Sequence, residues 1–175
     1  MSDKVLPYTL SIDPGFGSGT GWALWENKDW KKCYPPIDFG VLKASGQGNE
    51  WVNRCLILGD AVSFIMQRGV ASVYCEFPAL FNSAGSHMAT AQGDIFKLAF
   101  LVGVYANVAH QYRASFYPVE VAAWKGQMGK DVVAERIGKR LHEEPWSYPS
   151  HSNDAVGIGL YAKGFFSPDR STRVK

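Results

Sequence analysis

The sequence predicts an α/β fold in a single domain. Three observations carry this. Strand-like and helix-like segments alternate along most of the chain, and the first strand ends in a glycine-rich turn that leads directly into a second. Of the 175 residues, 46% are apolar, enough for one sizeable core. Residues 1–166 are assigned to that domain and the polar, basic stretch 167–175 to a mobile tail.

The opening element is Tyr8 to Trp25. Leu10 and Ile12 stand between β-favouring polar residues, and glycines follow at positions 15, 17, 19 and 21. The stretch reads as strand, tight turn and strand, with Asp13 at the end of the first. A lone carboxylate there lies where open α/β sheets place their ligand sites. Asp13 would equally serve as a cap beside Pro14, because Asp-Pro-Gly is ordinary turn chemistry. A Pro-rich connection then leads to a third, edge strand over Ile37–Lys43.

Trp51, Cys55, Leu58, Val62 and Ile65 recur at steps of four and three, one face of a helix that Gly69 stops. Val70–Phe77 is a fourth strand, closed by Pro78, and it delivers Glu76 to its C-terminal end. A carboxylate inside an apolar strand is costly unless paired or bound to metal.

A loop with Gly85 and Ser86 opens into the most apolar helix, from about Met88 to Gln111. Met88, Ala91, Ile95, Leu98, Val102, Tyr105 and Ala109 form one stripe, while Phe96, Phe100, Leu101, Val104 and Val108 cover much of the rest. Such a helix is wrapped by its own domain or shared with a second chain. Ala114–Pro118 is a short fifth strand, and Val119–Lys125 and Asp131–Leu141 are two helices joined through Gly126 and Gly129. Lys125, Lys130, Arg136, Lys139 and Arg140 make this the basic quarter of the chain, for which a solvated face is the plain reading. The last helix opens at Pro149 and Ser150 and runs to about Lys163. His151 and Asp154, three apart, project from one face of its first turn, and Gly157 and Gly159 let it lie close on a sheet.

Net charge is +2, from 18 basic and 16 acidic residues, so any polyanion site must be local. Cys33, Cys55 and Cys75 are odd in number and lack metal-type spacing, which fits reduced, buried thiols in a reducing compartment. The N-terminus has no apolar signal core, and no apolar run approaches the roughly 18 residues a membrane span needs. The expectation is a soluble, cytoplasmic protein without a membrane partner.

With the first and fourth strands adjacent and parallel, Asp13 and Glu76 would face the start of the last helix. His151 and Asp154 would then complete a cluster of oxygen ligands with one imidazole, which suits Mg²⁺ or Mn²⁺. Two such ions about 4 Å apart are the usual device for in-line attack of water on a phosphodiester.

The order of elements and the residues Ile12-Asp13-Pro14-Gly15, Tyr74-Cys75-Glu76 and His151-Ser152-Asn153-Asp154-Ala155-Val156 resemble the RuvC family of Holliday junction resolvases, in the RNase H-like superfamily. The likeness runs from about Thr9 to Lys163. It implies an RNase H-like, five-stranded mixed sheet of order 3-2-1-4-5 with helices on both faces. It also implies metal-dependent resolution of four-way DNA junctions by paired nicks, leaving 5′-phosphate and 3′-hydroxyl ends. Asp13, Glu76, His151 and Asp154 match the family's catalytic and metal-ligating positions, with two ions per site. Lys125 and Lys130 match its basic residues and would touch phosphate. Phe77 and Phe81 are the candidates for its base-stacking aromatic, neither at the usual spacing.

A four-way junction has near two-fold symmetry, so a homodimer built on the Met88–Gln111 helix would supply two related sites. Phe96, Phe100 and Val104 have no obvious internal partner and offer the surface. Competing readings are a broader fork, flap or Y-debranching nuclease and a non-catalytic junction-binding protein. A third takes the glycine turn as the phosphate loop of a sugar kinase, actin or chaperone-type ATPase. Those proteins duplicate the domain, for which 175 residues leave no room. No small-molecule cofactor is implied.

Overall fold

Two apolar sets of opposite parity on the same strands decide the architecture. Side chains alternate across a strand, so Leu10 and Ile12 point to one face of the sheet while Thr9, Ser11 and Asp13 point to the other. In a computed structural model, which describes residues 7–15, 17, 19–28, 32–44, 50–78, 93–142 and 150–168, both faces are covered. The strands are β1 Tyr8–Asp13, β2 Thr20–Glu26, β3 Asp38–Leu42, β4 Val70–Phe77 and β5 Ser115–Glu120. The helices are α1 Trp51–Met66, α2 Asp94–Gln111, α3 Val121–Trp124, α4 Lys130–Leu141 and α5 Ser150–Ala162.

The sheet runs β3-β2-β1-β4-β5. β2 is antiparallel to β1 and β3, while β1, β4 and β5 are parallel. The predicted five-stranded mixed sheet and its order are therefore observed. Leu10, Ile12, Leu24, Val73 and Cys75 pack with Cys55, Leu58 and Val62 of α1 and Leu101 and Tyr105 of α2. On the other face Ala23, Trp25 and Val119 pack with Val133 and Ile137 of α4 and Val156 and Ile158 of α5. Each such fully buried aliphatic side chain stabilises by about 1.5–3 kcal/mol.

Three elements differ from the sequence expectation by more than one residue at an end. β5 does not stop at Pro118 but continues to Glu120, because it is an edge strand, where a proline's missing N–H is tolerated. The helix expected over Val119–Lys125 shrinks to the single turn Val121–Trp124. The N–H groups of Lys125 and Gly126 both donate to the Val121 carbonyl, and Gly126 takes φ +57°, which ends the turn. Among the described residues α2 begins at Asp94; Met88, Ala91, Gly85, Ser86 and Phe81 lie outside them. Of the expected tail, only Ser167 and Pro168 are described.

The unpartnered strip on α2 is also narrower than expected. Val104 packs on α1, where a Cβ at Gly59 would stand 2.5 Å from its Cγ1. Phe100 meets Trp51 edge to face with ring centroids 5.2 Å apart. The chain's own α1 packs on Val104 and on one edge of Phe100, which stays 41% exposed. Phe96 stays open at 68% exposure.

One close approach ties the fold to the carboxyl edge of the sheet. A Cβ on Gly21 of β2 would lie 1.9 Å from the His151 carbonyl oxygen, so α5 can begin where it does only over a glycine. Gly21→Ala is expected to destabilise the protein by about 1–3 kcal/mol, as overpacking does. Gly17→Ala, with nothing within 4 Å of its Cβ, serves as the control. Thermal melts of the two variants check this; equal melting temperatures would refute the close approach.

Candidate active site at the carboxyl edge of the sheet

Parallel strands bring their C-terminal ends to one edge, and parity then sorts the side chains there. Ile12 is level with Cys75 in the β1–β4 ladder, so the following residues, Asp13 and Glu76, come level on the face that α5 covers. Asp13 is the last residue of β1, and the turn after it is pinned. The Thr20 hydroxyl donates to the Gly15 carbonyl at 3.1 Å and accepts from the Gly15 N–H at 3.2 Å. With its one hydrogen committed, Thr20 accepts from the Tyr105 hydroxyl at 2.6 Å, which anchors the turn to α2.

The first turn of α5 meets this edge. His151 Nδ1 stands 2.7 Å from Asp13 Oδ2, and buried Asp154 is one turn further on. Lys125, just past α3, donates from Nζ to Asp154 Oδ2 at 3.1 Å and lies 3.6 Å from Glu76 Oε2. Its ammonium also sits 4.7 Å from the ring of Trp124. The Trp124 indole N–H donates to Glu76 Oε2 at 2.8 Å.

The electrostatics follow from burying like charges together. Burial pushes the Asp13 carboxyl up and Asp154 adds to it, against the hydrogen bond from His151. Burial and then Asp13 raise Glu76 to about 7, opposed by Lys125 and the Trp124 N–H. Burial works against the charge on Lys125, but Glu76 and Asp154 outweigh it and hold its pKa above the ordinary value. The bond to Asp13 raises His151.

All four sequence-predicted metal-site residues thus meet at one edge, as two linked pairs: Asp13 with His151, and Glu76 with Asp154 through Lys125. Among the described residues no three His, Cys, Asp or Glu side chains form a ready-made metal cage. The Lys125 ammonium stands between Glu76 and Asp154. As a donor set, three carboxylates and an imidazole fit Mg²⁺ or Mn²⁺.

Lys125 was expected on a basic face and is instead inside the cluster. Lys130 is exposed at the start of α4, near enough to His151 to disfavour its protonation. Phe77 is 41% exposed beside Glu76, and Phe81 lies outside the described residues. Sequence reasoning missed Trp124 and the Thr20–Tyr105 pair. A tryptophan directly before a candidate lysine was the available signal, since a buried indole N–H needs a partner.

No family model matches this chain, and no curated protein matches it. Solved structures do. RuvC of T. thermophilus in complex with a Holliday junction substrate is 21% identical, with a TM-score of 0.67 over 93% of this chain and 99% of that one. A second Thermus thermophilus RuvC structure is 20% identical, with a TM-score of 0.65 over the same shares. The likeness is one of fold, and the chain has a RuvC-like fold.

The raised carboxyls make a signed prediction for the metal-free protein. Glu76 moves from 4.5 to about 7, so between those values the folded state keeps a proton that the unfolded state has lost. Stability from this group is complete below the lower value and is lost as pH rises through the upper one. The shifts of Asp13 and His151, both upward, act in the same direction. The melting temperature is expected to be several degrees higher near pH 5 than near pH 8, with most of the difference gone in Glu76→Gln. A pH slope that survives unchanged in that variant would show that Glu76 is not its source.

Proposed function

We propose that this chain, over residues 1–166, is a divalent-metal-dependent endonuclease that resolves four-way DNA junctions by paired nicks. The observation that carries the reading is the meeting of two linked pairs, Asp13 with His151 and Glu76 with Asp154 through Lys125, at the carboxyl edge of a RuvC-like sheet. The RuvC structure of the same fold is itself in complex with a Holliday junction substrate.

On this reading Asp13, Glu76, His151 and Asp154 would hold two Mg²⁺ or Mn²⁺ ions. When bound, such ions supply an activated water and charge stabilisation at the leaving oxygen of the phosphodiester. The chain's own residues do the rest. Asp13 and Glu76 are fixed on rigid strand ends, and the Asp13–His151 bond orients the imidazole. Lys125 and Lys130 present two cations to the phosphate backbone, a contact that positions DNA without reading its sequence. Phe77, and Phe81 in the segment after it, are the aromatics that would stack on bases at the junction centre.

A homodimer supplies the second nick. Phe96 and Phe100 of α2 and Val52, Leu56, Ile57 and Phe64 of α1 are exposed apolar residues, and exposed apolar side chains on this helix pair suit a partner surface. A two-fold axis there would place two equal sites on a junction of matching symmetry. Among the described residues no helix is long and apolar enough to cross a membrane.

Asp13→Asn is expected to lower nicking of a synthetic four-way junction by more than the roughly 10–100-fold that losing an outer partner of a metal site costs. Junction binding should stay within a few-fold of wild type, since the substitution also removes a negative charge. Assays on four-way junctions, forks, flaps and linear duplex, each with Mg²⁺ or Mn²⁺, measure both activity and selectivity. Full activity in a pure Asp13→Asn preparation would end the assignment.

The dimer is checked by sedimentation. The wild type should run as a dimer at micromolar concentration, and Phe96→Glu as a monomer that nicks one strand without pairing the cuts. A monomeric wild type with junction bound would remove this part of the proposal.

A further inference from the structure

A glutamate at a strand end is a poor ligand until something fixes it. Its terminal torsions are soft, and ordering the side chain costs up to about 2 kcal/mol. Lys125 is an unsuitable anchor for Glu76, because a flexible ammonium 3.6 Å away is a point charge without preferred direction. Trp124 has the opposite character. Its side chain is fully buried and sits on α5, where a Cβ at Gly157 would stand 2.5 Å from its Cζ3. Phe166 closes the ring's surroundings at a centroid distance of 6.0 Å. An indole nitrogen only donates, so its one hydrogen always points the same polarity at its partner.

We propose that Trp124 is the positioning residue for Glu76: its indole N–H holds Oε2 and leaves Oε1 as the oxygen offered to a divalent cation. Structural need alone would be met by any buried acceptor, and a backbone carbonyl is the usual one. Here the acceptor is the carboxylate of the candidate site, at 2.8 Å. The same ring is notched into α5 at Gly157, one turn from Asp154. One rigid side chain therefore sets both the direction of Glu76 and the spacing between β4 and the helix that carries Asp154 and His151. This rests on the metal-dependent reading given under Proposed function.

The test is calorimetric titration of the full chain with Mn²⁺, alongside junction nicking as a function of Mn²⁺. Trp124→Phe keeps the ring's bulk and removes the N–H. Its Mn²⁺ affinity should fall about tenfold, the lower end for outer partners of metal sites. The half-saturating Mn²⁺ for nicking should rise in proportion, with kcat restored at saturation and metal-free junction affinity within twofold of wild type. In a Glu76→Gln background the same substitution should change Mn²⁺ affinity little, because the group it acts through is gone. Wild type that binds Mn²⁺ with a Trp124→Phe protein that binds it equally well would overturn the proposal alone. Equal losses in both backgrounds would also overturn it, since the residue would then be only structural. A wild type that binds no Mn²⁺ would instead sink the metal-dependent reading, and this proposal with it. If Trp124→Phe does not fold, the indole N–H resonances of the wild type decide. One of the six tryptophan signals must shift both on addition of diamagnetic Mg²⁺ and in Glu76→Gln, and no such signal would refute the contact.

Discussion

Two like charges about 4 Å apart, at the effective dielectric of a protein's outer layers, repel by roughly 4 kcal/mol, and this chain collects Asp13, Glu76 and Asp154 at one sheet edge with little water around them. Such a cluster persists only if each charge is neutralised or partnered. The structure does so in two ways. His151 bonds Asp13 directly, and Lys125 bridges Glu76 and Asp154. The remaining excess shows in the carboxyls themselves, since Glu76 is held near neutrality as an acid, at about 7. Proton, imidazole and ammonium together do what a multivalent cation does alone.

That balance needs positions fixed to a fraction of an ångström, and the two cores supply them from opposite sides. Leu10 and Ile12 lock β1 to α1 and α2, so the residues between and after them, Ser11 and Asp13, have no choice but the α5 face. There the Ser11 hydroxyl accepts from the buried Trp25 indole at 2.9 Å, and a Cβ on Gly159 would collide with that same ring at 2.2 Å. α5 thus rests on glycines at three points, Gly21 beneath its first turn and Gly157 and Gly159 along it. Each lets a bulky ring or a carbonyl approach to a distance that any other residue forbids. The charged end of α5 is held in register by its apolar body.

Much of this was legible in the sequence because strand parity is a local property. The alternation around Ile12 and Cys75 put Asp13 and Glu76 at strand ends, and the i, i+3 spacing put His151 and Asp154 on one face. The sheet order came with the resemblance carried by those motifs. What was not legible depended on partners distant in sequence. Lys125 read as part of a basic face because its acidic neighbours are 49 and 29 residues away. Val104 and Phe100 read as unpartnered because α1, which packs on Val104 and meets Phe100 through Trp51, shows a helical period but not its docking site. The turn at Val121–Trp124 read as a longer helix because Val119 and Glu120 pair instead with Glu76 and Phe77 of β4, 43 residues away. The Trp124–Glu76 bond joins residues 48 apart, and no spacing rule reaches that far.

The two roles of Lys125, ion-pair partner here and phosphate contact by resemblance, are compatible once charge is followed through the proposed reaction. In the resting cluster its ammonium is one of the few positive charges available to Glu76 and Asp154, which is why its proton is held more tightly than usual. A divalent ion between those carboxylates would supply twice the charge and remove the reason for the ammonium to stay. Lys125 hangs on a flexible four-carbon stem directly after Trp124, whose ring is wedged and cannot follow. Released, the ammonium can reach only what lies within a stem's length of the same edge, and on the proposed reading that is the phosphate being cut. On the proposed reading, rigid Trp124 would keep Glu76 in place while Lys125, on the adjacent position, would be free to leave it.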